Sequence, residues 1–170
     1  MNEKFYSLPE EKRQRIMNSG YRVFSRNSYK KSPVGEVALE AGISKSLLFY
    51  YFHNKRDLYL FLLDEACRLT IQTLEEEKCY EQEGFFDKMY KGMKAKVKIM
   101  KQYPDLTAFV MKAFYEKDPE VAGAIQKSYR EALNGKAKTT LLCQSSEEFR
   151  EGLNLEMMYK DMYWASGGYL

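Results

Sequence analysis

The chain has 170 residues and a formal net charge of +3, with only ten Gly and four Pro against fourteen Tyr and ten Phe. That length supports a real core in one or two domains, and no apolar run reaches the roughly 18 residues of a membrane span. The opening MNEKFYSLPEEKRQR lacks the apolar segment of a signal peptide. Cys67, Cys79 and Cys143 have no metal-ligand spacing and fit a reducing compartment. The expectation is a cytoplasmic all-α protein with no membrane partner, no metal and no cofactor.

Charge is unevenly spread. Residues 1–56 hold eleven Lys or Arg against five Asp or Glu, a balance of +6, whereas residues 57–170 hold sixteen against nineteen, a balance of −3. A basic first third on a mildly acidic remainder suits a polyanion-binding head on a neutral body. In chain order, a first helix is expected near Pro9, with Ser7 as cap and Glu10 and Glu11 in a first turn where carboxylates favour the dipole. Ile16, Gly20, Val23 and Phe24 form its buried stripe. Asn27-Ser28-Tyr29 breaks it, Ser32 is expected to cap a second helix, and Pro33 takes that helix's first position.

The stretch Val34 to Lys55 reads as a short helix, a tight turn and a second short helix. Val34, Val37, Ala38 and Ala41 have the spacing of one buried face. Gly42 supplies a left-handed helix stop, Ile43 plugs the turn, and Ser44 caps the next helix. There Leu48, Tyr51 and Phe52 point inward, leaving Lys45, Ser46, Leu47, Phe49 and Tyr50 mostly outside. A packed corner with a cationic, aromatic outer face suits a helix-turn-helix whose second helix enters a DNA major groove.

GISKSLLFYYFHNKRDLY resembles the recognition helix and following helix start of the tetracycline-repressor (TetR) family of one-component regulators. Gly42, Ser44, Lys45, Leu48, Tyr50, Tyr51, Phe52, Lys55 and Leu58 stand at matching positions. The likeness continues upstream through residues 16–24 and 29–41, so it covers about the first third of the chain. Ser46 stands where Gly is common, Leu47 where Thr is common and Phe49 where Tyr is common, which removes two hydroxyls. The resemblance implies a three-helix DNA-binding head over residues 1–54. A long fourth helix then leads into a helical effector-binding and dimerisation domain over residues 55–170.

Downstream, Asn54 caps that long helix, expected from Lys55 to about Lys78 with Leu58, Leu62, Ala66, Leu69 and Thr73 on its stripe. A fifth helix is expected over residues 85–102, buried through Phe86, Met89, Met93, Val97 and Met100. Tyr103-Pro104-Asp105 breaks it and caps a sixth, with Leu106, Phe109, Val110, Ala113 and Phe114 apolar. Lys117-Asp118-Pro119-Glu120 separates a seventh, carrying Val121, Ala124, Ile125, Tyr129 and Leu133 up to Asn134-Gly135. A last helix starts at Ser146, after a turn at Gln144-Ser145-Ser146, and bears a Met157, Met158, Met162, Tyr163 and Trp164 cluster, read equally as core or subunit contact. Family members usually close with two long helices that pair across a dimer, and here the chain ends within what reads as the first of them.

For DNA, Lys45 can reach guanine or a phosphate, Ser46 allows close approach, and Leu47 and Phe49 would meet thymine methyls. Tyr50 and Tyr51 would donate to phosphates, while Ser32, Ser44 and Lys55 sit at helix starts suited to phosphate. The resemblance also implies an apolar effector pocket, with Leu62, Ala66, Ile71, Met89, Met93, Phe109, Met111 and Phe114 as candidate walls and Tyr103 and Tyr129 as polar contacts. Catalysis has little support, because the only histidine, His53, serves no nucleophile. The reading is a homodimeric repressor, released from a palindromic double-stranded DNA operator by a small lipophilic or aromatic effector. The alternative is a non-enzymatic helical interaction protein whose basic head binds another partner.

Overall fold

The computed structural model describes residues 3–81, 84–132, 152–154 and 157–158, and in these it is all-helical. Its helices are α1 (Glu3–Tyr6), α2 (Glu10–Arg26), α3 (Val34–Glu40), α4 (Lys45–Phe52), α5 (Lys55–Glu76), α6 (Phe85–Gln102), α7 (Leu106–Phe114) and α8 (Ala122–Ala132), with a 3-10 turn at Cys79–Glu81. α1 was not expected: four residues carry no readable period. Ser7 does not cap α2, because its hydroxyl donates to the Lys4 carbonyl instead. Arg13 donates to the Tyr6 carbonyl at 2.7 Å, which ties α1 back onto α2.

α2, α5 and α7 meet in an aromatic cluster. Tyr21 and Phe24 of α2 face Phe109 of α7, with ring centres 5.4 and 6.2 Å apart. Tyr59 of α5 lies edge-on to both Phe24 and Phe109, at 5.0 and 5.1 Å. One continuous buried cluster runs from Phe5 to Ile125, crossing the expected 54/55 boundary without a break in packing. α2 reaches α5 closely because Gly20 has no side chain where Leu62 sits.

Polar ties reinforce the same seam. Arg22 of α2 lies 3.2 Å from Asp105, ahead of α7, and 3.6 Å from Glu40 of α3. Asp105 therefore does not cap α7 through its side chain as expected. Arg56 donates to the Glu120 carbonyl at 2.9 Å, joining α5 to the turn before α8.

α6 departs most from its expected stripe. Among its described side chains Ala95 and Ile99 are the buried ones, while Phe86, Met93 and Val97 are more than half exposed. Small Ala95 lets α6 approach its neighbours along a narrow line, and the bulkier residues face away. α5 ends at Glu76 rather than at Lys78, which itself adopts a positive φ of 57°. The expected features at Leu133, Asn134-Gly135, Cys143, Gln144–Ser146, Met162, Tyr163 and Trp164 lie outside the described residues. Met157 and Met158 are described, and Met157 is exposed.

Candidate nucleic-acid interface

The corner between α3 and α4 is built by local chemistry. Gly42 holds a φ of +66°, a conformation costly for any residue with a Cβ. Ile43 is half-buried against the core, and the Ile43 N–H donates back to the Ala38 carbonyl at 3.0 Å. The Ser44 hydroxyl accepts the Leu47 N–H at 3.1 Å, satisfying one of the open donors that begin α4. Leu48, Tyr51 and Phe52 are buried on the inner side of α4. His53 closes the helix at a φ of +54°, and the Asn54 side chain then caps α5 by accepting the Asp57 N–H at 2.8 Å.

Lys45, Ser46 and Tyr50 are exposed together on the outer face of α4, with Ser44 at its start. Leu47 and Phe49 are half-buried and packed against the core, and the Lys45 ammonium lies 5.8 Å from the Phe49 ring centre. Ser32 is placed otherwise than expected, and Tyr51 keeps its expected inward position rather than its expected phosphate contact. Ser32 is buried, with its hydroxyl donating to the Ser28 carbonyl at 2.9 Å, so it neither caps α3 nor faces outward. Tyr51 is buried beside Phe5 and Phe52, which removes its phenol from the outer surface.

Lys55 is half-buried, its ammonium donating to the Lys30 carbonyl at 3.1 Å and lying 5.0 Å from the Tyr29 ring centre. Burial lowers its pKa from the ordinary lysine value, opposed by the charges of Glu120 and Asp118. Its first task is therefore to bind the turn before α3. Lys30 and Lys31 of that turn are exposed, and sequence reading passed over them because they sit in no periodic element.

The expected effector walls do not converge. Leu62, Ala66 and Phe109 are fully buried core and Tyr103 is nearly so, while Met93 and Phe114 are exposed. Ile71, Met89 and Met111 are half-buried on separate elements, and the Tyr129 phenol donates to the Val110 carbonyl at 2.6 Å. Of these ten, only Tyr103 lines a cleft of about 620 Å³ between α1–α2, α5 and α6. Met17, Leu69 and Ile99 supply apolar wall there, with Arg13, Arg68 and Lys98 as its cations. Buried Glu65 accepts from the Tyr6 phenol at 2.5 Å and from Arg68 at 2.7 Å. Burial, then the hydrogen bond to Glu65, pushes the Tyr6 pKa up to about 12.

Burial also pushes the Cys67 thiol up to about 11 and raises that of Cys79, so both stay protonated near neutrality. Among the described residues no three His, Cys, Asp or Glu side chains are grouped to hold a metal ion. Nor is any described helix long and apolar enough to cross a membrane.

A capped, glycine-cornered helix pair with a basic, hydroxyl-bearing outer face defines a helix-turn-helix protein. Residues 16–61 match the family model of the bacterial regulatory proteins, tetR family. That match runs from within α2, through the helix-turn-helix, into α5. Over 62 residues the chain is 31% identical to the fatty acid metabolism regulator protein of Bacillus subtilis (strain 168), a stretch covering 36% of this chain and 32% of that protein. The chain thus matches about a third of that relative's length.

The structure resembles a TetR family transcriptional regulator from Chloroflexus aurantiacus J-10-FL, with a TM-score of 0.69 and 22% identity. That likeness covers 97% of this chain and 76% of the other. It also resembles the transcriptional regulator FadR of Bacillus subtilis, solved in complex with stearoyl-CoA. There the TM-score is 0.58 and the identity 21%, over 88% of this chain and 80% of that one. At these identities the two likenesses are of fold.

Proposed function

We infer that this protein is a sequence-specific DNA-binding transcriptional regulator, acting as a repressor, with residues 1–54 as its reading head and residues 55–170 as its effector-binding and dimerisation body. The observation that carries this reading is the outer face of α4, where Lys45, Ser46 and Tyr50 stand exposed beyond a Ser44 cap. Lys45 and Ser46 meet base edges or phosphates, and Tyr50 donates to a phosphate. Leu47 and Phe49, half-buried, offer only their outer edges to thymine methyls. Ser44 and Lys55 contribute at helix starts, Lys55 through donors beyond the one spent on Lys30.

The working form is a homodimer in the cytoplasm, its two recognition helices entering successive major grooves roughly 34–36 Å apart on a near-palindromic operator. A small-molecule effector releases it by favouring a dimer whose heads are wrongly spaced. The FadR relative solved with stearoyl-CoA supports an effector with a long apolar part. The matched proteins are all regulators by name, which supports a non-enzymatic role.

The test is a gel shift and footprint on the DNA upstream of the protein's own coding region. Sequence-selective protection is expected, abolished by Lys45→Ala and weakened by Tyr50→Phe, with circular dichroism unchanged. Loss of neither, or no binding at low salt, would favour a helical interaction protein whose head docks a different partner.

A further inference from the structure

Lys4 and Phe5 are neighbours in α1 with opposite surroundings. Phe5 is fully buried, its ring centre 5.1 Å from Phe52, 5.0 Å from Phe61 and 6.1 Å from Tyr51. It plugs the seam where α4 meets α5. Lys4 is exposed, and its ammonium lies 4.2 Å from the centre of the Tyr50 ring. The two residues therefore straddle the C-terminal end of α4, one behind it and one across its outer face. Two further bonds fix this turn: the Tyr6 phenol donates to Glu65, and Arg13 donates to the Tyr6 carbonyl.

We propose that α1 belongs to the nucleic-acid surface, with Lys4 and Tyr50 together holding one phosphate of the DNA backbone. This rests on the DNA-binding reading above and adds a contact from outside the helix-turn-helix. An ammonium brings a full charge and three donors, and a phenol brings one more, which suits the several acceptor oxygens of a phosphate. The ring already confines the ammonium, so less side-chain freedom is lost on binding. Glu3 and Asp57 line the same cleft as Lys4 and Tyr50, but neither forms an ion pair with the ammonium. Among the described residues no carboxylate pairs with Lys4, and Asp57 accepts from the Asn54 amide instead.

The decisive measurement is the salt dependence of binding of the full chain to a mixed-sequence duplex long enough for two half-sites. Lys4→Met keeps an unbranched chain over the Tyr50 ring but removes the charge, and Lys4→Arg keeps the charge. For Lys4→Met the slope of log affinity against log salt should become shallower by about 0.9 for each charge removed, while Lys4→Arg matches the wild type. Tyr50→Phe should weaken binding with the slope unchanged, since the phenol is neutral. If Lys4→Met keeps the wild-type slope, or weakens binding equally at every salt concentration, α1 only props α4 and the proposal is overturned. If the wild-type chain binds no duplex at low salt, the DNA-binding reading itself fails, and this contact with it.

Discussion

The Glu116 carboxylate, just beyond α7, accepts the backbone N–H of Tyr29 at 2.7 Å, tying the body to the turn that leads into α3. Its other oxygen accepts the N–H groups of Lys117 and Asp118, at 3.0 and 3.1 Å. Replacing it strands a part-buried donor next to the helix-turn-helix. Glu116→Ala should cost about 1.5–3 kcal/mol, the range for hydrogen bonds to a charged group. A thermal melt should show the midpoint falling by several degrees, and an unchanged midpoint would mean the Tyr29 amide finds another acceptor.

Gly20 sits where α2 and α5 approach most closely. A Cβ there would lie 2.5 Å from Leu62 Cδ1 and 3.2 Å from Cδ2, and Leu62 is fully buried. Ala is the better helix former by about 0.8–1.0 kcal/mol, yet overpacking costs about 1–3 kcal/mol. Gly20→Ala should therefore destabilise. Combining it with Leu62→Ala should cost less than the two changes summed, a coupling that denaturant midpoints can read.

Ser44 caps α4 and, under the proposed function, also stands at the DNA, and one substitution separates the two. Ser44→Ala should lose about 1 kcal/mol of stability through the missing cap. Ser44→Asp should retain the cap, because its carboxylate accepts the same Leu47 N–H. Placed beside DNA phosphates, that carboxylate should weaken operator binding while the melting temperature holds. Equal affinity for Ser44→Asp and wild type would remove Ser44 from the interface.

Alkaline pH should unfold the protein through its tyrosines. Tyr6 is held neutral, its pKa moved from 10.0 to about 12, and burial raises Tyr21, Tyr59 and Tyr103 in the same direction. A raised folded-state pKa means the unfolded chain gives up its phenolic proton first. This contribution is complete below pH 10 and is lost as pH climbs towards 12. Tyrosinate absorbance and helical signal should change together, and Tyr6→Phe should show a smaller stability loss over that interval.

What could be read from the chain was what local chemistry decides. Gly42, Ser44 and Asn54 are legible because each acts within three or four residues of itself. Phe5 was not, since its value comes from rings contributed by α4 and α5. Ser32 had the right identity for a cap, but the turn from Ser28 had already claimed its hydroxyl. On α6 the large apolar residues marked a stripe, whereas packing selected Ala95 for its smallness. The proposed effector walls failed to converge for a related reason: an apolar side chain filling the core and one facing a ligand look alike in sequence, and Leu62, Ala66 and Phe109 are the former.

The ring cluster of Tyr21, Phe24, Tyr59 and Phe109 has an engineering corollary. Half its members come from residues 1–54 and half from residues 55–170, so neither part can be excised without leaving an open wound of aromatic surface. A chimera joining the first part to a foreign helical body would have to carry over the inward side chains of α5 and α7 as part of the graft.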